Sequence, residues 1–298
     1  MNNITMKPMN VIGIIDQTIK LYRNNFKAII LFVLLIGGTA NLIVALIGLG
    51  ANAATLESPL SRLLQGEFSL ETLMYSFIGA GGTGQSNAFS DLLDIIVSVF
   101  LYPLVAGGVT FIALTASHGT VENSYMSKVS PKYGSLLVTF LAMIALYLAF
   151  FIAVLILVAL FSRLIFLAVI IIMGLFVFIA LPLTAFCLPV AIQEERYGFA
   201  WLPRAWGLYK SKTGKTIGLL LLTFLFVQIL TLVLTTLFAL FPPLISTVGT
   251  VLITALLEPV TLIAAALLYL DIRMTAEGYD LELRLAALEN KEESGAYV

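Results

Sequence analysis

Six long apolar runs set the plan of this 298-residue chain, and the shorter stretches between them hold nearly every charge. The runs fall at roughly 28–50, 92–116, 135–160, 164–192, 216–241 and 244–270. About 20 helical residues cross a hydrocarbon core of about 30 Å, so each run is long enough to span. The pattern predicts a single all-α domain, a polytopic membrane bundle of six transmembrane helices with amphipathic helices at its surface. The fourth run would be about 43 Å long if straight, so it must tilt, kink or leave the core. Pro182 and Pro189 offer the kink.

The polar stretches carry patterns of their own. In residues 10–27, Val11, Ile15, Ile19, Tyr22 and Phe26 recur at helical spacing. Asp16, Lys20, Arg23 and Lys27 line the other side, as in a helix lying in a membrane interface. Residues 51–90 read as an outer loop holding GAGGTGQS, with Asp91 expected to cap the second span. Pro103 and the Gly107-Gly108 pair predict a kink and a close helix contact within that span. Residues 196–215 form a basic, aromatic surface segment in which Phe199, Leu202, Trp206 and Tyr209 are expected to share a face. Pro242-Pro243 ends the fifth span. The tail, 271–298, reads as a charged continuation of the sixth helix, with Arg273/Glu277 and Asp280/Arg284 at i,i+4 spacing.

Composition sharpens this picture. The chain is 60% hydrophobic and only 11% charged, whereas a soluble domain carries about 25% charged residues. The net charge of −1 hides a strong asymmetry. Fourteen of the sixteen Lys and Arg fall before the first run, in the second and fourth connections, or in the tail; Arg62 and Arg163 are the exceptions. The positive-inside rule then predicts both termini in the cytoplasm. No cleavable leader is expected, because polar and charged groups run through residues 1–27. One cysteine, Cys187, and one histidine, His118, leave no basis for a disulfide or a Cys/His metal site.

A weak internal repeat accompanies the layout. Leu21-Tyr22-Arg23 precedes the first span as Leu208-Tyr209-Lys210 precedes the fifth, and Tyr125 to Lys132 holds the matching place before the third.

The candidate chemistry is sparse. Glu258 sits near the middle of the sixth span beside Pro259. A carboxylate there is costly, so it must face the interior, either protonated or bonded to a polar partner. Gln228, Thr254, Thr223 and Thr250 are the expected partners. One reading makes Glu258 a proton or cation site; the other makes it a structural group satisfying backbone at a proline kink. Arg196, Arg204, Lys210, Lys212 and Lys215, with Trp201 and Trp206, are candidate contacts to anionic lipid headgroups. GAGGTGQS lacks the Lys that a phosphate loop places before its Ser and reads as a turn. Asp91 and Asp94 could hold a cation, but capping accounts for them. There is no HExxH, no GxSxG and no Cys–His pair. No cofactor, metal or nucleic-acid partner is expected.

Three stretches resemble a bacterial six-span family named after the membrane domain of glycerophosphoryl diester phosphodiesterases. They are IIDQTIKLYRNNFKAIILF near the start, Ala205 to Lys210 with the Gly218-Leu-Leu that follows, and a motif in the last span and tail. That motif comprises Tyr269, Asp271, Arg273, Glu277, Gly278, Tyr279 and Asp280. The resemblance implies a membrane domain in a bacterial cytoplasmic membrane, without the catalytic barrel of about 250 residues, so the phosphodiesterase activity does not carry over. Three functions follow as expectations. The first is a non-enzymatic accessory of lipid-linked or export machinery, or a membrane organiser, in contact with inner-leaflet lipid and a membrane-protein partner. The second is a small carrier of an amphipathic solute with an interior site near Glu258. The third is an enzyme acting on lipid headgroups. A water-accessible cavity at Glu258 would favour the second, and a polar pocket joining segments 196–215 and 271–282 the third.

Overall fold

A computed structural model describes residues 9–51, 88–117, 129–160, 171 and 174–278. The loop containing Gly79–Ser86, His118, the Ser162-Arg163 turn, and Tyr279, Asp280 and the rest of the tail lie outside the described residues. The chain opens with α1 (Val11–Asn24), whose N-cap Asn10 accepts a 2.7 Å bond from the Gly13 amide. The first span comprises α2 (Phe26–Val33), a π-helical turn (Leu34–Gly38) and α3 (Thr39–Ala51). The second is α4 (Ala88–Ser117), with Pro103 inside it. A 3₁₀ turn at Ser130–Lys132 leads into α5 (Tyr133–Leu160). A second π-helical turn (Phe176–Ala180) runs into α6 (Leu181–Gln193). Then come α7 (Trp201–Ser211), α8 (Thr213–Phe238) and α9 (Pro243–Glu277). Six of these helical stretches are long and apolar enough to cross a membrane, and the fold is an all-α polytopic bundle.

Local chemistry accounts for the breaks. Pro182 has no N–H to offer the carbonyl four residues back, and its ring crowds that position. The widened turn at Phe176–Ala180, directly before it, relieves the clash. Pro242 is extended and Pro243 occupies the first turn of α9, where a missing N–H is harmless. At the far end of α9, Gly278 takes φ 67° and its amide returns to the Arg273 carbonyl, a left-handed C-cap that glycine adopts most easily. Asp91 is not the cap expected of it. The helix already runs from Ala88, so Asp91 lies in the first turn, where its charge complements the helix dipole.

The second half of α9 is the centre of the molecule. Every residue from Ile263 to Ile272 is buried, with α1, α4, α6, α7 and α8 packed around this helix. In its first half Leu244, Ile245 and Leu252 are exposed, while Gly249, Ile253 and Ala255 are buried. The basic segment 196–215 is one of the elements laid against that centre. Large apolar side chains on α5 and α8, such as Phe151 and Phe226, face outward, as a bundle in hydrocarbon requires.

The helix faces differ from the expected ones. α1 runs antiparallel to α9: Met9, before its start, bonds to Asp271, and Tyr22, near its end, donates 2.8 Å to the Leu256 carbonyl. Its buried side chains are Ile14, Thr18 and Leu21, while Ile19 and Phe26 are exposed. Likewise α7 buries Trp201, Ala205, Leu208 and Tyr209 and turns Trp206 outward, and Phe199, in the turn before it, is exposed too. Each helix has protein on one side and an apolar outer side as well, and the sequence period merged the two. Leu21 and Leu208 do occupy matching places, each five residues before its span begins.

The Gly107-Gly108 pair makes the predicted close contact. A Cβ on Gly108 would come within 2.2 Å of the Phe32 ring edge, and one on Gly107 would meet Leu136 at 2.8 Å. Gly108→Val is therefore expected to destabilise the bundle by about 1–3 kcal/mol through overpacking. Co-substitution of Phe32→Ala should recover much of that loss. The check is the thermal midpoint of each variant purified in detergent.

Candidate functional site

Two polar constellations sit on α9, one at its C-terminal end and one at its middle. At the end, Asp271 is fully buried. One oxygen accepts the Met9 amide at 2.7 Å, the other pairs with the Lys215 ammonium, and that ammonium also donates to the Met9 carbonyl. One turn away, the Arg204 guanidinium is shared between two carboxylates. Its Nε donates to both oxygens of Glu194 at 2.8 Å, and its terminal nitrogens reach the two oxygens of Glu277 at 2.5 and 2.6 Å. Tyr269 donates 2.9 Å to Glu194, and Arg273 bonds both Glu277 (3.2 Å) and the Tyr269 hydroxyl (3.3 Å). The Glu277 and Glu194 partners hold the Arg204 guanidinium well above its ordinary range, although burial works against this. Glu195 turns the chain with φ 54° and pairs with Lys132 at 2.5 Å, which holds its carboxyl below the usual range. Burial raises the Tyr22 phenol to about 12.

This network brings together segment 196–215 and the end of α9, and fills the space between them with ion pairs. Tyr269, Asp271, Arg273, Glu277 and Gly278 all have structural tasks in it. Among the candidate headgroup contacts, Trp201 is buried and Arg204 and Lys215 are turned inward onto carboxylates. Arg196, Lys210, Lys212 and Trp206 are exposed, with the Lys210 ammonium 5.1 Å from the centre of the Trp206 ring.

The middle of α9 is hollow on two sides. A cavity of about 420 Å³ lies among α2, α3, α4 and the first half of α9; its polar lining includes Asn41, Asp91, Asp94, Ser98, Thr254 and Glu258. A second, of about 450 Å³, lies among α4, α5, α6, α8 and α9; its lining includes Phe140, Met143, Tyr147, Phe224, Gln228 and Glu258. Along α4 the first is lined from Ser90 to Val105 and the second from Tyr102 to Thr110. Along α9 the first takes Thr250 to Glu258 and the second Thr254 to Ala265. The cavities thus follow one another down the bundle and share Tyr102, Thr254 and Glu258. Cys187 lines the second.

Tyr102 is the neighbour that Glu258 has in the bundle interior: the two side chains together line both cavities. Sequence reasoning looked for a Thr or Gln and missed it. The Thr250 and Thr254 hydroxyls bond to carbonyls of their own helix, at 2.9 and 3.0 Å. Gln228 and Thr223 line the second cavity beside Glu258. The available signal was a tyrosine next to Pro103 inside an apolar run, a polar group as exceptional there as Glu258. No family model, curated protein or solved structure matches the chain.

Proposed function

We propose that this protein is a carrier that moves an amphipathic solute through the bilayer, with Glu258 and Tyr102 as its central binding pair. The observation that carries this reading is that two cavities in series meet where Tyr102 and Glu258 line both. A carboxylate at mid-span is expensive to maintain and points to a transport pathway when it lines a cavity. An accessory protein would need only its outer surface, and a hollow polar centre serves it nothing. A headgroup enzyme would need an open polar pocket near Arg204 and Glu277, where ion pairs stand instead.

The charge distribution supports placing the end that carries Arg204, Lys215 and Arg273 in the cytoplasm, with Asp91 and Asp94 towards the outside. The exposed Arg196, Lys210 and Lys212, with Trp206 at headgroup level, then contact anionic lipid of the inner leaflet. The likeness to the phosphodiesterase membrane domain is, on this reading, a likeness of the ion-paired end of the bundle.

The test is flux. Liposomes reconstituted with the full chain are loaded in turn with ethidium, carboxyfluorescein and dansylamide. At least one dye should leave faster than from protein-free liposomes. Glu258→Gln should lower that excess rate about tenfold, the equivalent of one charge-assisted bond of about 1.4 kcal/mol. If no dye leaves faster than from empty liposomes, the carrier reading falls.

A further inference from the structure

The geometry points to an organic cation with an apolar body as the solute: its charge seats on Glu258, and its body lies in the cavity between α5, α6 and α8. This deepens the carrier reading and rests on it.

Three observations lead there. The first is the charge of the lining. Asp91, Asp94 and Glu258 mark out the first cavity from its rim to its floor, and among the described residues neither cavity is lined by a Lys, Arg or His. An anionic solute would meet three carboxylates and nothing to offset them. A cation is drawn inward, because a cleft lined by one sign of charge within low-dielectric walls concentrates the opposite ion.

The second is the state of Glu258 itself. Its neighbour in kind, Asp271, lies thirteen residues further along α9 and is matched by the Lys215 ammonium. Glu258 has only the neutral Tyr102 phenol beside it in the lining of the two cavities, and no cation among the described residues there. Two carboxylates on one helix are therefore treated differently: one is neutralised within the fold, while the other faces a cavity with positions open to an incoming ammonium.

The third is the second cavity. Phe140, Met143, Tyr147, Leu181 and Phe224 give it apolar and aromatic walls, and its volume of about 450 Å³ is within the range of pockets that hold small organic ligands. Thr110 and Thr223 also line it; both are buried, and their hydroxyls have no partner among the described residues. Unpaired buried hydroxyls are unusual, and a ligand that offers a donor or acceptor on its body would satisfy them. The wall chemistry fits an apolar skeleton bearing one polar substituent, with the cationic centre within reach of Glu258.

The test reads charge selectivity directly and does not depend on knowing the solute. Cys187 is the chain's single cysteine. In a Cys187→Ala background, Ser98→Cys places a thiol in the lining of the first cavity. Its rates of modification by a cationic methanethiosulfonate (the trimethylammonium ethyl reagent) and an anionic one (the sulfonatoethyl reagent) are measured on the reconstituted chain. Each is divided by the rate with free cysteine. The normalised cation rate should exceed the anion rate by at least about tenfold. The ratio should fall towards one when Asp91→Asn, Asp94→Asn and Glu258→Gln are combined. The two Asp sites are exposed, so Asp91→Asn/Asp94→Asn alone keeps the fold and should remove part of the ratio. A ratio near one in the parent, with dye flux still present, overturns the cation assignment and leaves the carrier standing. A high ratio with no flux of any dye establishes the cation site and overturns the carrier.

Discussion

Lys215→Met is expected to destabilise the fold by about 3 kcal/mol or more, and to do so more severely than Asp271→Asn. The two residues form one ion pair, but their surroundings differ. The Asp271 side chain is fully buried, while that of Lys215 is 19% exposed. When the ammonium is removed, the carboxylate keeps the Met9 amide but has no counter-charge and no route to water. When the carboxylate is neutralised instead, Asn still offers an oxygen to that amide. The lysine keeps the Met9 carbonyl and can move its ammonium to the surface along an apolar stem. The double variant Lys215→Met/Asp271→Asn should recover a large part of the loss, because a neutral pair leaves no stranded charge. Thermal midpoints of the three variants in detergent, with monodispersity by size exclusion, decide the matter. Equal losses in the two single variants would show that the pair is more hydrated than its geometry implies.

This pair also shows what the chain's pattern does not display. Met9 and Asp271 are 262 positions apart, and Lys215 and Asp271 are 56 apart. Hydropathy located the six apolar runs because each span must satisfy its own backbone, a constraint that acts within a local window. It located Glu258 for the same reason, as a charge in the wrong solvent. The turn at Pro242-Pro243 and the Gly108 contact were legible because proline and glycine act through their own backbone and absent side chain. What escaped was choice of neighbour. Tyr102 was invisible as a neighbour because nothing in an apolar run says which helix lies beside it. Arg204 and Lys215 read as surface cations because a basic segment beside a span usually faces headgroups; here α9 presents Glu277 and Asp271 to them. The buried faces of α1 and α7 were misplaced for a related reason. Thr18 and Ala205 are buried together with Ile14, Leu21, Trp201 and Leu208, whereas Ile19 and Trp206 sit on the open side. Both sides carry bulky apolar residues, so a pattern weighted by hydrophobicity does not separate them.

Arg204→Lys should cost nearly as much as Arg204→Met, a result that would separate geometry from charge at the other end of the network. The guanidinium serves Glu194 through Nε and Glu277 through both terminal nitrogens, so one planar group bridges the end of α6 to the end of α9. An ammonium is a point donor on a flexible stem and cannot hold two bidentate contacts at once. With lysine, one carboxylate loses its main partner. Hydrogen bonds to charged groups are worth about 1.5–3 kcal/mol each, and Arg204 is only 23% exposed, so a loss of roughly 2–4 kcal/mol is expected for either variant. Three groups limit the damage: Arg273 still reaches Glu277, Tyr269 still donates to Glu194, and Arg196 stays 3.5 Å from Glu194. Glu277→Gln supplies the control. It frees Arg204 from one acid and leaves Glu194 fully served, so its loss should be smaller than either arginine variant. If Arg204→Lys instead matches the parent in thermal midpoint, charge alone holds this end together, and the bidentate geometry contributes nothing.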